Sequence, residues 1–356
     1  MTGRPMGWIL LTVILLGQGL SSGVTASDSV CTELQGERIR WIVPSRAGGG
    51  YDRYSRLIQP FLEQRLKANI VIDNRPEAGG IVGAMAIRDA GPDARTLGVI
   101  NASGLLAAAA TRQVHVPDPS RDFTVLAKVV SNRMFVFTGR DSGFENIHDL
   151  VEHSTRNPVI AGIRDVGSAS FLALPITASL IDLDFVTVTG YVGNTNRVLA
   201  LIRGEIDLII QNFDSVRPYV DSGELLPLLD VTGTGAGAAG PVTMLGGPSG
   251  LAAKTAMKNQ RPVQEAVRKA AALSAIVSAG RLVVAPGKLP QPLGDCLQAQ
   301  LMSMLTSEEF LNAASKAGLT IDAADAESAL SNLEASRESL AEFNRLVQKQ
   351  IEQVRK

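Results

Sequence analysis

The chain has 356 residues, a formal net charge of −1, 4% aromatic residues and two cysteines. It lacks the basic face with interleaved aromatics that nucleic acid requires, so no nucleic-acid partner is expected. Its length exceeds the roughly 250–300 residues at which a single hydrophobic core stops growing, so two domains are the default.

The first residues carry Arg4, an apolar core from Trp8 to Leu16 and a small, polar run from Gly17 to Ser27. That order is the pattern of a secretory signal. Val24-Thr25-Ala26 places small residues at the two positions a signal peptidase reads, so cleavage is expected after Ala26. A retained anchor is the alternative, but the run is well short of the ~20 residues of a spanning helix. Cys31 and Cys296 are expected to form a disulfide in an oxidising compartment, two buried thiols being the other outcome.

Strands are predicted at 39–43, 69–73, 95–100, 123–137, 158–162, 184–188, 206–210, 225–230 and 281–285, with helices between them. This alternation indicates parallel α/β layers. The first strand runs into Ser45-Arg46-Ala47-Gly48-Gly49-Gly50-Tyr51-Asp52, and an amphipathic helix follows with Leu57, Ile58, Phe61, Leu62 and Leu66 on one face. Pro60 should remove one of its bonds and bend it. The glycines free the backbone to approach a ligand, and the helix start adds its positive dipole end, so the loop is built to hold an anion. Ser45 supplies a hydroxyl. Arg46 either grips the anion in bidentate fashion or is a solvated loop charge. Asp52 reads as an N-cap or first-turn residue satisfying free helix N–H groups.

A second helix, from about Gly80 to Asp89, follows Gly79-Gly80, which is either a second anion cradle or a close-packing point. The predicted strand 123–137 exceeds the usual length and reads as a crossing between domains. Thr232–Gly250, rich in glycine, suits the return crossing. One discontinuous domain is therefore assigned to 36–131 plus 241–356 and an inserted domain to 132–240, with the ligand cleft between them. Ser168 and Ser170 cap the next helix, a role compatible with ligand binding at the same free end. Tyr191, near Gly193 and Asn194, either lies over a ligand or is a half-buried core aromatic. The tail from 324 to 356 reads as one long helix whose stripe of Leu330, Leu333, Leu340, Phe343 and Val347 serves packing.

Catalytic grammar is missing. His115, His148 and His153 are the only histidines, and their spacing fits no zinc signature; neither Gly-x-Ser-x-Gly nor a P-loop ending occurs. No enzyme activity, metal or cofactor is expected.

Several segments resemble the Bug receptors, the substrate-binding proteins of tripartite tricarboxylate transporters. They are Ile42-Val43-Pro44, Gly48-Gly49-Gly50 with Asp52, Val71 to Pro76, and Ala78-Gly79-Gly80 with Gly83. Pro92-Asp93, Thr96-Leu97, Asp122-Phe123-Thr124 and Gly204-Glu205-Ile206-Asp207-Leu208 extend the likeness. The resemblance implies a two-domain α/β fold of the periplasmic-binding-protein type. It also implies a periplasmic monomer that closes on a small organic carboxylate and delivers it to the transporter's membrane subunits. Carried over by position, the ligand site comprises Ser45, Arg46, Ala47, Gly48, Gly49 and Gly50 in one loop and Gly167, Ser168, Ala169 and Ser170 in the other. Asn101, Ser103, Tyr191, Gly193, Asn194, Thr195, Asn212 and Ser215 occupy further pocket positions. Arg46, Ala169, Phe171 and Gln211 depart from the family pattern, and 250–280 hardly resembles it. A ligand-presenting receptor for a sensor and, more distantly, an exported hydrolase are the alternative functions.

Overall fold

The computed structural model describes residues 31–111, 116–163, 166–191, 193–233 and 242–355. The expected signal segment with its cleavage point at Ala26, His115, and residues 234–241 of the glycine-rich crossing lie outside them.

The first half contains β1 (Arg38–Val43), α1 (Gly50–Leu66), β2 (Asn69–Asn74), α2 (Ile81–Arg88), β3 (Thr96–Asn101), α3 (Ala102–Ala110) and β4 (Phe123–Val130). Next come β5 (Met134–Gly139), α4 (Ile147–Ser154), β6 (Val159–Gly162), α5 (Ala169–Ile181), β7 (Phe185–Val188), α6 (Gly193–Ile202), β8 (Ile209–Asn212), α7 (Phe213–Asp221), β9 (Leu225–Asp230) and β10 (Thr243–Met244). The chain closes with α8 (Leu251–Lys258), α9 (Val263–Ser278), β11 (Arg281–Pro286), α10 (Gln291–Leu305), α11 (Glu308–Lys316) and α12 (Ala326–Arg355).

Two sheets result. The first has strand order β2-β1-β3-β11-β4, with β11 antiparallel to both neighbours. The second has order β10-β9-β5-β8, and a parallel bridge from Ala161 to Leu208 joins the β6-β7 pair to its β8 side. Setting β7-β6-β8-β5-β9 beside β2-β1-β3-β11-β4 shows one arrangement used twice, each with a single antiparallel strand in the fourth place. Helices cover both faces of the first sheet. Along β1, Ile39, Trp41 and Val43 enter the core beneath α1 and α10, while Ile42 enters the core with α2 and α3. Burial on both faces explains the consecutive apolar residues Trp41, Ile42 and Val43 at the end of β1.

Nearly all predicted strands are present, with two differences. The expected strand 123–137 is two strands: Ser131, Asn132 and Arg133 leave the ladder because the chain changes sheets there, and the Asn132 amide, not a strand partner, fixes the turn. The strand predicted at 206–210 begins at Ile209, since Asp207 and Leu208 both donate to the Ile160 carbonyl and the Asp207 carboxylate accepts from Ile160 N–H. Pro60 lies inside α1, which runs unbroken from Gly50 to Leu66.

Cys31 and Cys296, 265 positions apart in the sequence, are bonded, tying the segment before β1 to α10. In α12, Leu333, Leu340, Phe343, Val347 and Ile351 are buried, as its stripe requires. This helix straddles the molecule. Ala324, just before it, bridges to Lys128 of β4, and near its end Gln350 donates to the Thr187 hydroxyl of β7.

Candidate ligand-binding cleft

The first loop connects β1 to α1 and is organised from below by Asp52. This side chain is 1% exposed and accepts from Gly48 N–H (2.8 Å), Arg56 Nε (2.8 Å) and Asn74 Nδ2 (3.0 Å). Burial raises the Asp52 pKa, but the Arg56 guanidinium, the Gly48 N–H and the Asn74 amide outweigh it, leaving the group below its ordinary value. Gly49, not Asp52, is the N-cap, and Asp52 turns back to hold the loop rather than the helix's own donors.

The three glycines have three different reasons. Gly48 alone has a left-handed φ, +78°. Gly49 has an ordinary φ, but a Cβ there would stand 3.0 Å from the Arg46 carbonyl oxygen. A Cβ on Gly50 would stand 3.2 Å from both Arg281 Nη2 and Ser215 Oγ. Ser215 belongs to the first turn of α7, on the second sheet's side, so α1 begins where the two lobes meet.

A crevice of about 230 Å³ lies beside this loop, lined by Pro44, Gly79, Gly80, Asn101 and Leu105 from one lobe and by Val166 and Gly167 from the other. Gly80 has φ +95°, and a Cβ on it would reach 2.5 Å from Pro44 Cβ. Close packing and crevice lining are thus the same property of Gly79-Gly80. Following Gly167, Ser168 caps α5 by accepting from Phe171 N–H at 3.2 Å, and its hydroxyl lies 3.0 Å from that of Ser170.

The expected site residues divide by position. Asn101 and Gly167 line the crevice, whereas Ser45–Gly50 and Ser168–Ser170 are not among its lining residues and only follow Pro44 and Gly167 in the chain. Asn101, Ser103 and Asn212 lie in one chain of hydrogen bonds across the crossing: Ser103 Oγ to Asn101 Oδ1 (3.1 Å), Asn132 Nδ2 to Ser103 Oγ (2.9 Å), and Asn212 Nδ2 to Asn132 Oδ1 (3.1 Å). Asn194 accepts from Arg197 Nη2 at 2.8 Å. Arg46, Ala47 and Thr195 are exposed, and Tyr191 packs against the apolar cluster of the second lobe, where burial, and then the Glu205 charge, raises its pKa.

Sequence reasoning missed the polar residues under the loops. Arg197, 1% exposed, reaches Ser170, Asn194 and Gln211. Asp214 pairs with Arg133 at 2.5 Å and lies 3.4 Å from the Tyr54 hydroxyl. Burial pushes Tyr54 up to about 12; the Arg281 charge opposes this and Asp214 adds to it. A signal was present: Arg197 shares a helical face with Leu201, and Arg281 alternates with Val283 and Ala285, so both cations sit on apolar faces.

The receptor profile described as "Tripartite tricarboxylate transporter family receptor" matches residues 54–244, more than half of the chain. The chain belongs to this receptor family. Curated relatives of the receptor chain include a UPF0065 protein of Pseudomonas sp. (strain P51), 25% identical over 57% of this chain and 61% of that protein. Protein BugT of Bordetella pertussis (strain Tohama I) is 24% identical over 58% and 64% of the two chains. The chain thus spans about three-fifths of the length of the curated relatives it matches. Among solved structures, the periplasmic binding protein BugD superposes with a TM-score of 0.68 at 17% identity, covering 87% of this chain and 97% of BugD. MatC from Rhodopseudomonas palustris with bound malate gives 0.62 at 18% identity over 85% and 99%, and an R. palustris protein with adipate gives 0.67 at 18% over 87% and 97%. These likenesses establish the two-lobed receptor fold.

Proposed function

We propose that this receptor-family chain is an extracytoplasmic solute receptor that captures a small organic carboxylate between its lobes and delivers it to the membrane subunits of a tripartite tricarboxylate-type transporter. It acts as a periplasmic monomer once the signal is removed near Ala26. Residues 36–131 plus 241–356 form one lobe and 132–240 the other, a division that follows the strand membership of the two sheets except for β10 (Thr243–Met244), which pairs with β9 of the second sheet. The observation that carries the proposal is the crevice itself, lined by Gly79 and Gly80 where α2 opens, by Asn101 where α3 opens and, from the other side, by Gly167 just before α5. Free backbone N–H groups and helix dipoles at such ends favour an anion. The bound malate and adipate of the two R. palustris structures support the same ligand class. In this scheme Ser45–Gly50 and Gly167–Ser170 supply main-chain donors and hydroxyls, Asn101, Ser103 and Asn212 set the crossing, and Tyr191, Asn194 and Thr195 form the outer wall. No residue has a catalytic role and no cofactor takes part.

A thermal-shift screen against mono-, di- and tricarboxylates tests this. A ligand that binds only the native state raises the melting temperature with concentration. A melting temperature unmoved by every carboxylate at millimolar concentration overturns the proposal.

A further inference from the structure

A second cavity, of about 310 Å³, opens where α7 of one lobe meets α11 of the other, and it shares no lining residue with the crevice. Arg217 of α7 is the only charged residue lining it among the described residues; Leu311, Ala314, Leu319 and Ile321 form an apolar wall, and Thr320 adds a hydroxyl. Arg217 makes no ion pair and no hydrogen bond among the described residues, and its Nε is enclosed without an acceptor. The guanidinium lies 5.6 Å from the Phe213 ring centroid, but Arg133 shares that ring at 5.2 Å and also takes the Asp214 carboxylate. Two cations thus meet one acid, and Arg217 is the one left over.

The backbone of the wall does not answer it either. The Ala314 and Ser315 carbonyls close the left-handed turn at Gly318 (φ +65°) that ends α11, and the Thr320 carbonyl accepts from the Tyr54 hydroxyl. Asp322, just beyond the wall, is held by Lys128 and Ser131. Arg217 Nη1 stands 3.7 Å from where a Cβ on Gly318 would be, so the guanidinium rests on a bare glycine. Of its nitrogens only Nε is enclosed, which leaves the Nη groups to meet a ligand. A guanidinium fork calls for an oxyanion. The wall beside it, with Leu311 41% exposed, calls for an apolar chain and not a second charge.

We propose that this cavity is a second ligand site, separate from the crevice, for a small organic anion whose single oxyanion head pairs with Arg217 and whose short apolar chain lies along Leu311, Leu319 and Ile321. Head and chain are held by different lobes, so an occupant is linked to the angle between them.

The test is titration of the full chain, with isotope-labelled Ala, Ile and Leu methyl groups, by hexanesulfonate. The Leu311, Ala314, Leu319 and Ile321 methyl resonances report this cavity and should shift saturably, whereas those of Ile81, Ala84 and Leu105 report the crevice. Sulfate lacks the chain and hexylamine carries the opposite charge, so each should bind at least about 10-fold more weakly. Arg217→Gln should weaken hexanesulfonate by a similar factor of about 10, and Leu311→Ala, at an exposed position, severalfold. Cavity methyls unmoved at millimolar hexanesulfonate overturn the proposal without any variant, which covers a failure of Arg217→Gln to fold. A folded Arg217→Gln of unchanged affinity, or hexylamine binding as tightly as the sulfonate, also overturns it. Shifts confined to the crevice methyls overturn this site and leave the receptor function standing.

Discussion

Asp52 shows how a buried carboxylate shapes the glycine turn that opens α1. Three donors converge on its carboxylate from loop, helix and β2. Asp52→Asn should cost about 1–3 kcal/mol at neutral pH, since at least one charge-assisted bond is lost. The sign with pH follows from its depressed pKa. The stabilisation is complete above the unfolded value near ~3.9 and disappears as pH falls through the folded value. Urea denaturation of wild type and variant at pH 7 and in acid should show curves that converge at low pH; a constant gap means the charge is not responsible. The glycines offer a second test. Gly48→Ala meets open space and bears only the left-handed backbone penalty, about 1–2 kcal/mol. Gly80→Ala bears the same penalty and also drives a Cβ into Pro44, so it should lower urea stability by clearly more.

At the scale of elements, the side chain of Asn132 ties the crossing from β4 to β5 to three helices. The Asn132 amide donates to Ser103 at the start of α3 and to the Val277 carbonyl of α9, and it accepts from Asn212 at the start of α7. Asn132→Ala removes all three bonds, leaving the Asn212 amide without its Asn132 acceptor, and should cost about 1–3 kcal/mol. Small-angle scattering should also show a wider distribution of lobe separations; an unchanged profile and stability would show that the apolar packing alone sets the angle. The disulfide acts on another element pair, clamping the segment before β1 onto α10. Denatured, oxidised protein should show no free thiol, and Cys31→Ala/Cys296→Ala should lose about 2–5 kcal/mol, because a long loop is closed. Two titratable thiols in the unreduced chain would refute the bond.

For the whole molecule, α12 and one continuous apolar cluster join the lobes. That cluster includes Ile100 and Leu282 of the first sheet, Phe171 of α5, Ile276 of α9 and Phe343 of α12. Of these segments, α5, buried on nearly every face, carries no helical period, whereas α12 was legible by its 3.6-residue stripe and the strands by their apolar runs, which are local properties of the chain. The same holds for the glycine loop, the cap at Ser168 and the cysteine pair, whose chemistry is carried by residue type. What neighbours what was not local. The break at Asn132, the register that sets Arg281 opposite Asn101, and the approach of Ser215 to Gly50 arise from strands and helices far apart in sequence. Residue order by itself determined the α/β layers, the glycine-rich turns and the family likeness, since short-range sterics and burial periodicity suffice for those. Only the tertiary structure decided which turns share a crevice and where a buried cation lies, because both depend on two sheets meeting at a crossing that no sequence window contains.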